Sequence, residues 1–184
     1  MTDKNVSIMN IGSMGYLPQV FKKIENEKKL NIVYLGGSIT MGCNATKTEL
    51  RYVDRSAKWW QTNFPDAEIS YFNAGIGATT SQFGVARVQE HVLDKQPDLV
   101  FVEFSVNDSS SPLFMETYES LVRRLLKAES VKAVVLINNL FYNTGTNAQG
   151  IHNAVGLHYD LPIVSVRNYI FPEIQLGNVC LADY

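Results

Sequence analysis

Three polar residues close three apolar runs, and their types suit acyl transfer. Ser38 follows Gly36 and Gly37 at the end of NIVYL (31–35). Asn73 closes AEISYFN (67–73), and Ala74, Gly75, Ile76, Gly77 and Ala78 follow it. Asn107 stands in SVNDSSS, after the apolar stretch that begins LVFVE. A serine on a glycine turn has three uses: a tight turn, a phosphate cradle or a nucleophile. Gly36 and Gly37 let the backbone turn sharply and let a substrate approach it. A phosphate cradle needs a glycine-rich loop running into a Lys-Ser/Thr pair. Lys47-Thr48 is such a pair, but it stands too far along and no glycine precedes it. No GxGxxG follows the first run, and the GxSxG elbow is absent. A nucleophilic Ser38 requires a base and an oxyanion hole. The Ser38 N–H, the Gly77 or Ala78 N–H and the Asn107 side-chain amide are the available donors, the last of them uncharged at any working pH.

These residues need a scaffold that brings strand ends together. The strand signals fall at 31–35, 67–73, LVFVEFSV after Pro97-Asp98, KAVVLINNL (132–140) and LPIVSV (161–166). Helical spacing falls between them, at 16–27, within 50–63, and at 79–94, 115–128 and 146–158. In the helix at 79–94 the apolar positions are Phe83, Val85, Val88 and Val92. Short, nearly continuous apolar strands alternating with helices suit a parallel sheet covered on both faces. The pattern predicts a three-layer, flavodoxin-like α/β sandwich with five parallel strands in order 2-1-3-4-5. The expected division is an N-terminal arm and short helix over 1–30, then one α/β domain over 31–184. Residues 1–15 read as irregular. In this class the loops at the carboxyl ends of the strands carry the chemistry.

The chain of 184 residues is long enough for one sizeable core, and 46% apolar against 18% charged residues favours folding. A net charge of -2 gives no basic excess for nucleic acid or an anionic membrane. No run is long enough to span a membrane, and the start lacks the layout of a signal peptide. A cytoplasmic protein is the expectation. Cys43 and Cys180 form no disulfide framework, and with the three histidines they lack metal-ligand spacing, so no metal or other cofactor is expected. Cys43 reads as a small buried residue. Trp59-Trp60 reads as core packing with one ring facing outward.

The three blocks resemble those of the SGNH hydrolases, the GDSL-type esterases, in the branch whose first block reads GGSIT. The resemblance covers residues 31 to the end. It implies that Ser38 is the nucleophile and first oxyanion donor, that Ala78 occupies the family's oxyanion glycine, and that Asn107 of VEFSVND is the amide donor. Gly36, Gly37, Gly77, Asn73 and Asp108 then support the pocket, Asp108 by capping a turn or holding the loop. The implied substrate is a small ester, either a short-chain acyl ester or an acetylated carbohydrate.

The family's last block is Asp-x-x-His, which supplies the base and its orienting acid. Asp183 fits the first position, with only Tyr184 after it. The sequence therefore reads as a family member cut just before its base, inactive alone. A non-catalytic, ligand-binding remnant of the same fold is the alternative. His91 and His158 lie near helix C-termini, where a cation is favourable. His152 borders the buried side of its helix, marked by Ala148, Ile151 and Val155, and no carboxylate pairs with it in the sequence pattern. A truncated sheet would expose an apolar face, from which a homo-oligomer is expected.

Overall fold

The computed structural model describes residues 3–13 and 16–179. Six strands form one sheet: β1 (Ile8–Asn10), β2 (Lys29–Gly36), β3 (Glu68–Gly75), β4 (Leu99–Glu103), β5 (Ala133–Asn138) and β6 (Ile163–Ser165). Their spatial order is β1-β6-β5-β4-β2-β3. The β2–β3, β2–β4, β4–β5 and β5–β6 pairs are parallel. The five strands expected from sequence thus lie in the expected order, with β2 in the interior.

The sheet is mixed, not wholly parallel. β1 pairs antiparallel with β6, and Ile8 lies opposite Val164. This corrects the reading of residues 1–15 as irregular, because Lys4–Ser7 form a 3-10 turn and Ile8–Asn10 a strand. Three residues are too few to show a period of two. The strand forms because β6 would otherwise leave an open edge. Asn10 secures it by donating to Asp160 Oδ1 at 3.0 Å and to the Leu161 carbonyl at 2.9 Å.

The helices are α1 (Leu17–Glu27), α2 (Ser38–Met41), α3 (Tyr52–Asn63), α4 (Ser81–His91), α5 (Pro112–Leu126), α6 (Gln149–His158) and α7 (Val166–Gln175). α7 had no sequence signal, since Pro172 lies inside it. Alternate strand residues feed two cores. Val33 and Leu35 join Val100, Val102, Val134 and Leu136 beneath α4, α5 and α6. Ile32 and Tyr34 join Leu99 and Val135, together with Val20 and Ile24 of α1 and Val53 and Trp60 of α3. Burial on both faces explains why the strands read as continuous apolar runs. Trp60 is buried and Trp59 exposed, as expected. Of the apolar positions expected in α4, Val88 and Val92 are buried and Val85 packs against the core, and only Phe83 departs. The helix buries Ser81, Gly84, Arg87 and Val88, while Phe83 is exposed.

Candidate active site

The site begins with strand register. Gly36 at the end of β2 sits between Gly75 of β3 and Glu103 of β4. Three loops therefore leave the sheet at one level, those that carry Ser38, the Gly77–Ala78 turn and Asn107. Backbone bonds tie the loops together. The Gly37 N–H donates to the Glu103 carbonyl at 3.3 Å, and the Ile76 N–H donates to the Gly36 carbonyl at 3.1 Å.

Close approach explains the two glycines of the first block. A methyl on Gly36 would overlap Thr40 Oγ1 and the Glu103 carbonyl. A methyl on Gly37 would lie 3.2 Å from Asn107 Oδ1 and 3.3 Å from the Thr79 carbonyl. Gly37 is thus wedged between the second and third blocks, directly before Ser38. Ser38 begins the single turn of α2 and is half-buried, as is Asn107, whereas Ala78 is exposed.

Ala78 has φ +57°, a left-handed conformation that disfavours any residue with a Cβ. Its neighbours hold it there. Thr79 Oγ1 donates to the Ile76 carbonyl at 2.7 Å. Asn73 accepts from the Gly75 N–H at 2.9 Å and donates to the Thr40 carbonyl at 2.8 Å, so it links β3 to α2. Gly77 is half-buried and faces the Met41 side chain.

Asp108 does more than hold its own loop. Its Oδ1 accepts from the Ser81 N–H at 2.9 Å, at the start of α4. Its Oδ2 lies 3.0 Å from His152 Nε2, and both side chains are fully buried. His152 also stacks on Tyr118, with ring centroids 3.6 Å apart. The expectation that no carboxylate pairs with His152 is therefore corrected. The partner is 44 residues away, and only the packing of α6 against the third loop brings them together. The carboxylate accepts, so the proton of a neutral His152 sits on Nε2. Burial pushes the His152 pKa down, against the raising effect of the Asp108 hydrogen bond.

Glu103 is a further buried acid that the sequence pattern does not single out. It is buried at the end of β4, and its Oε1 accepts from the Ser105 N–H at 3.1 Å and the Ser105 hydroxyl at 3.0 Å. Oε2 is buried without a partner. Desolvation pushes its pKa up to about 7, against the Ser105 hydrogen bonds. A single acid ending an apolar strand was the available signal.

Neither His91, His152 nor His158 reaches Ser38. His91 Nδ1 accepts from Arg87 Nη1 at 3.2 Å, His152 pairs with Asp108, and His158 lies edge-on to Tyr159. Ser38 Oγ has no side-chain hydrogen bond among the described residues. Asp183 and Cys180 lie outside the described residues. Cys43 is exposed, which corrects its reading as a buried residue, because the turn after α2 carries it to the surface. Two surface concavities, one lined by Glu119, Arg123 and His158 and the other by Leu50, Arg55 and Trp59, include none of the site residues. Among the described residues no helix is long and apolar enough to cross a membrane.

The fold and sequence are similar to those of known proteins. The profile of the GDSL-like Lipase/Acylhydrolase family matches residues 34–166. The chain belongs to that family. A two-domain esterase active on acetylated mannans is 45% identical, with a TM-score of 0.96; the match covers 100% of this chain and 49% of that one. The chain thus spans about half the length of that esterase. The same protein co-crystallised with mannopentaose gives the same identity and TM-score. A catalytic mutant of Axe2, an acetylxylan esterase from Geobacillus stearothermophilus, is 18% identical, with a TM-score of 0.68, over 84% of this chain and 83% of that one; it shares the fold. Among curated proteins no significant match was found.

Proposed function

We propose that this chain carries the nucleophile and oxyanion hole of a serine ester hydrolase that removes acetyl or other short acyl groups from a carbohydrate. The observation that carries the reading is the packing of Gly37 against Asn107 and Thr79, which gathers the three blocks beside Ser38. Ser38 Oγ attacks the ester carbonyl. The tetrahedral oxyanion accepts hydrogen bonds from the Ser38 and Ala78 N–H groups and from the Asn107 amide. Collapse of the intermediate breaks the ester C–O bond, and the sugar hydroxyl leaves with the proton that the base took from Ser38 Oγ. Water, giving a proton to the same base, then releases the acyl group from Ser38 as the carboxylic acid. The carbohydrate assignment draws on the mannan-active esterase, 45% identical over this whole chain. On this reading the chain belongs to the GGSIT-type branch of the family, which its first block, Gly36 to Thr40, supports.

On this reading Asp183 stands at the first position of the family's Asp-x-x-His block, whose histidine is the base in that family. His152 is a poor substitute, since its side chain is fully buried and its Nε2 is engaged with Asp108. The lack of a histidine on Ser38 among the described residues favours a second reading, a ligand-binding domain without turnover. One assay separates them. The longest polypeptide that the gene encodes is given acetylated mannan and an activated acetyl ester, beside its Ser38→Ala variant. Acetate release that disappears with Ser38→Ala supports the hydrolase. Binding of mannan oligosaccharides with no acetate release supports the second reading.

A further inference from the structure

We propose that Arg87 is the positioning residue of the oxyanion turns: its buried guanidinium clamps the carbonyl ends of β2 and β3. The clamp itself is independent of the esterase reading, and its catalytic consequence rests on that reading. Arg87 lies on the buried face of α4 with 6% of its surface exposed. Nη1 donates to the Ala74 carbonyl at 2.7 Å, and Nη2 donates to the Gly36 carbonyl at 3.1 Å. Its other neighbours are His91 Nδ1, 3.2 Å from Nη1, and the Phe83 ring, 5.8 Å from the guanidinium carbon. Nε is buried and has no partner. No carboxylate pairs with Arg87 among the described residues, and burial pushes its pKa down.

A buried cation without a counter-charge is expensive to hold, and carbonyl oxygens offset only part of that penalty. The position of the two carbonyls gives the expense a purpose. Gly36 precedes Ser38 by two residues, and Ala74 precedes the turn that carries the Ala78 N–H. The Gly36 oxygen also accepts from the Ile76 N–H at 3.1 Å. One oxygen therefore joins the nucleophile turn, the second-block turn and Arg87. A planar fork of N–H donors can span two carbonyls at once, whereas an ammonium is a point charge without that geometry. Loss of the fork frees the two turns to shift against each other. The N–H donors of Ser38 and Ala78 then no longer meet at one oxygen.

The test compares the full-length protein with its Arg87→Lys and Arg87→Met variants. Amide hydrogen exchange at Gly37 and Ile76 reads the clamp without turnover, because both N–H groups bond across the loops. Exchange at these two amides is expected to quicken about 10-fold or more in both variants, while Val88 and Val92 keep their protection. On an activated acetyl ester, kcat is expected to fall roughly 10–100-fold with KM within about twofold, as for a small misplacement of catalytic groups. Unchanged exchange at Gly37 and Ile76, or a rise shared equally by all of α4, overturns the proposal. If Arg87→Met does not fold, Arg87→Lys decides by the same criteria. The expected exchange pattern in a protein whose wild type hydrolyses no ester would leave the clamp standing and remove the esterase reading instead.

Discussion

His152 Nε2 lies 3.0 Å from Asp108 Oδ2, with neither side chain exposed. The same carboxylate accepts from the Ser81 N–H. One acid, next in sequence to Asn107, therefore fastens the third loop to the starts of two structures, α4 and the buried side of α6. Replacing Asp108 by alanine leaves a peptide N–H and an imidazole N–H buried without an acceptor. Each such group costs about 1–3 kcal/mol. Asp108→Ala is therefore expected to lower unfolding stability by about 2–4 kcal/mol in urea titrations, since the two losses overlap in one cavity. A change under about 0.5 kcal/mol, the range of ordinary surface substitutions, would contradict the pairing.

Glu103 gives a pH dependence whose sign is fixed. Burial raises its pKa in the folded protein to about 7, above the ordinary 4.5, so the folded state binds more protons between those values. The contribution of Glu103 to stability is full below pH 4.5 and is lost as pH rises to about 7. Glu103→Gln keeps an acceptor for Ser105 and cannot ionise. It is expected to match the wild type near pH 4 and to exceed its stability near pH 8. Denaturant midpoints across that range check the outcome, and parallel curves for the two proteins would count against it.

His152 acts in the opposite sense. Its folded pKa is depressed below 6.5, so its contribution is full above pH 6.5 and is lost as pH falls through that value toward the folded pKa. His152→Gln should flatten this acid limb while lowering stability at pH 8. A steeper acid limb in the variant would mean that His152 is protonated in the folded state.

Ala78 sits at φ +57°. Left-handed backbone costs a residue with a Cβ about 1–2 kcal/mol, and the greater freedom of glycine when unfolded returns about 0.4–1 kcal/mol of that. Ala78→Gly is expected to raise stability by up to about 1 kcal/mol and to keep the N–H donor, so any esterase activity should persist. Differential scanning calorimetry reads the first effect. A clear fall in melting temperature would show that the alanine methyl makes contacts outweighing the strain.

Asn107 is half-buried beside Gly37, and on the proposed reading its amide is the side-chain donor to the oxyanion. Asn107→Ala is expected to lower kcat about 10²–10³-fold, the usual loss for one oxyanion donor. Its far-ultraviolet circular dichroism spectrum should be unchanged. Kinetics on an activated acetyl ester with the full-length protein check this, and a kcat within a factor of two of wild type would exclude Asn107 from the oxyanion hole.

The sequence by itself determined the order of the parallel strands and the three blocks at their ends. NIVYL, AEISYFN and LVFVE are short apolar runs whose burial on both faces makes them self-announcing, and a right-handed crossover leaves few ways to order them. Ser38 and Asn107 stood out as candidates because turn chemistry is local, a small hydroxyl and an amide at strand ends, whereas only the family resemblance chose Ala78 over Gly77 as a candidate donor. Tertiary structure alone decided the rest. The β1–β6 pairing depends on an edge created by residues about 155 positions later, as Ile8 opposite Val164 shows. Asp108 with His152, and Arg87 with Gly36 and Ala74, are contacts between elements far apart in the chain. Helical periodicity could place His152 on a buried face but not name what it meets there. Nor could it foresee that α4 would turn Arg87 inward and Phe83 outward, because that choice is made by two carbonyl oxygens supplied by other strands.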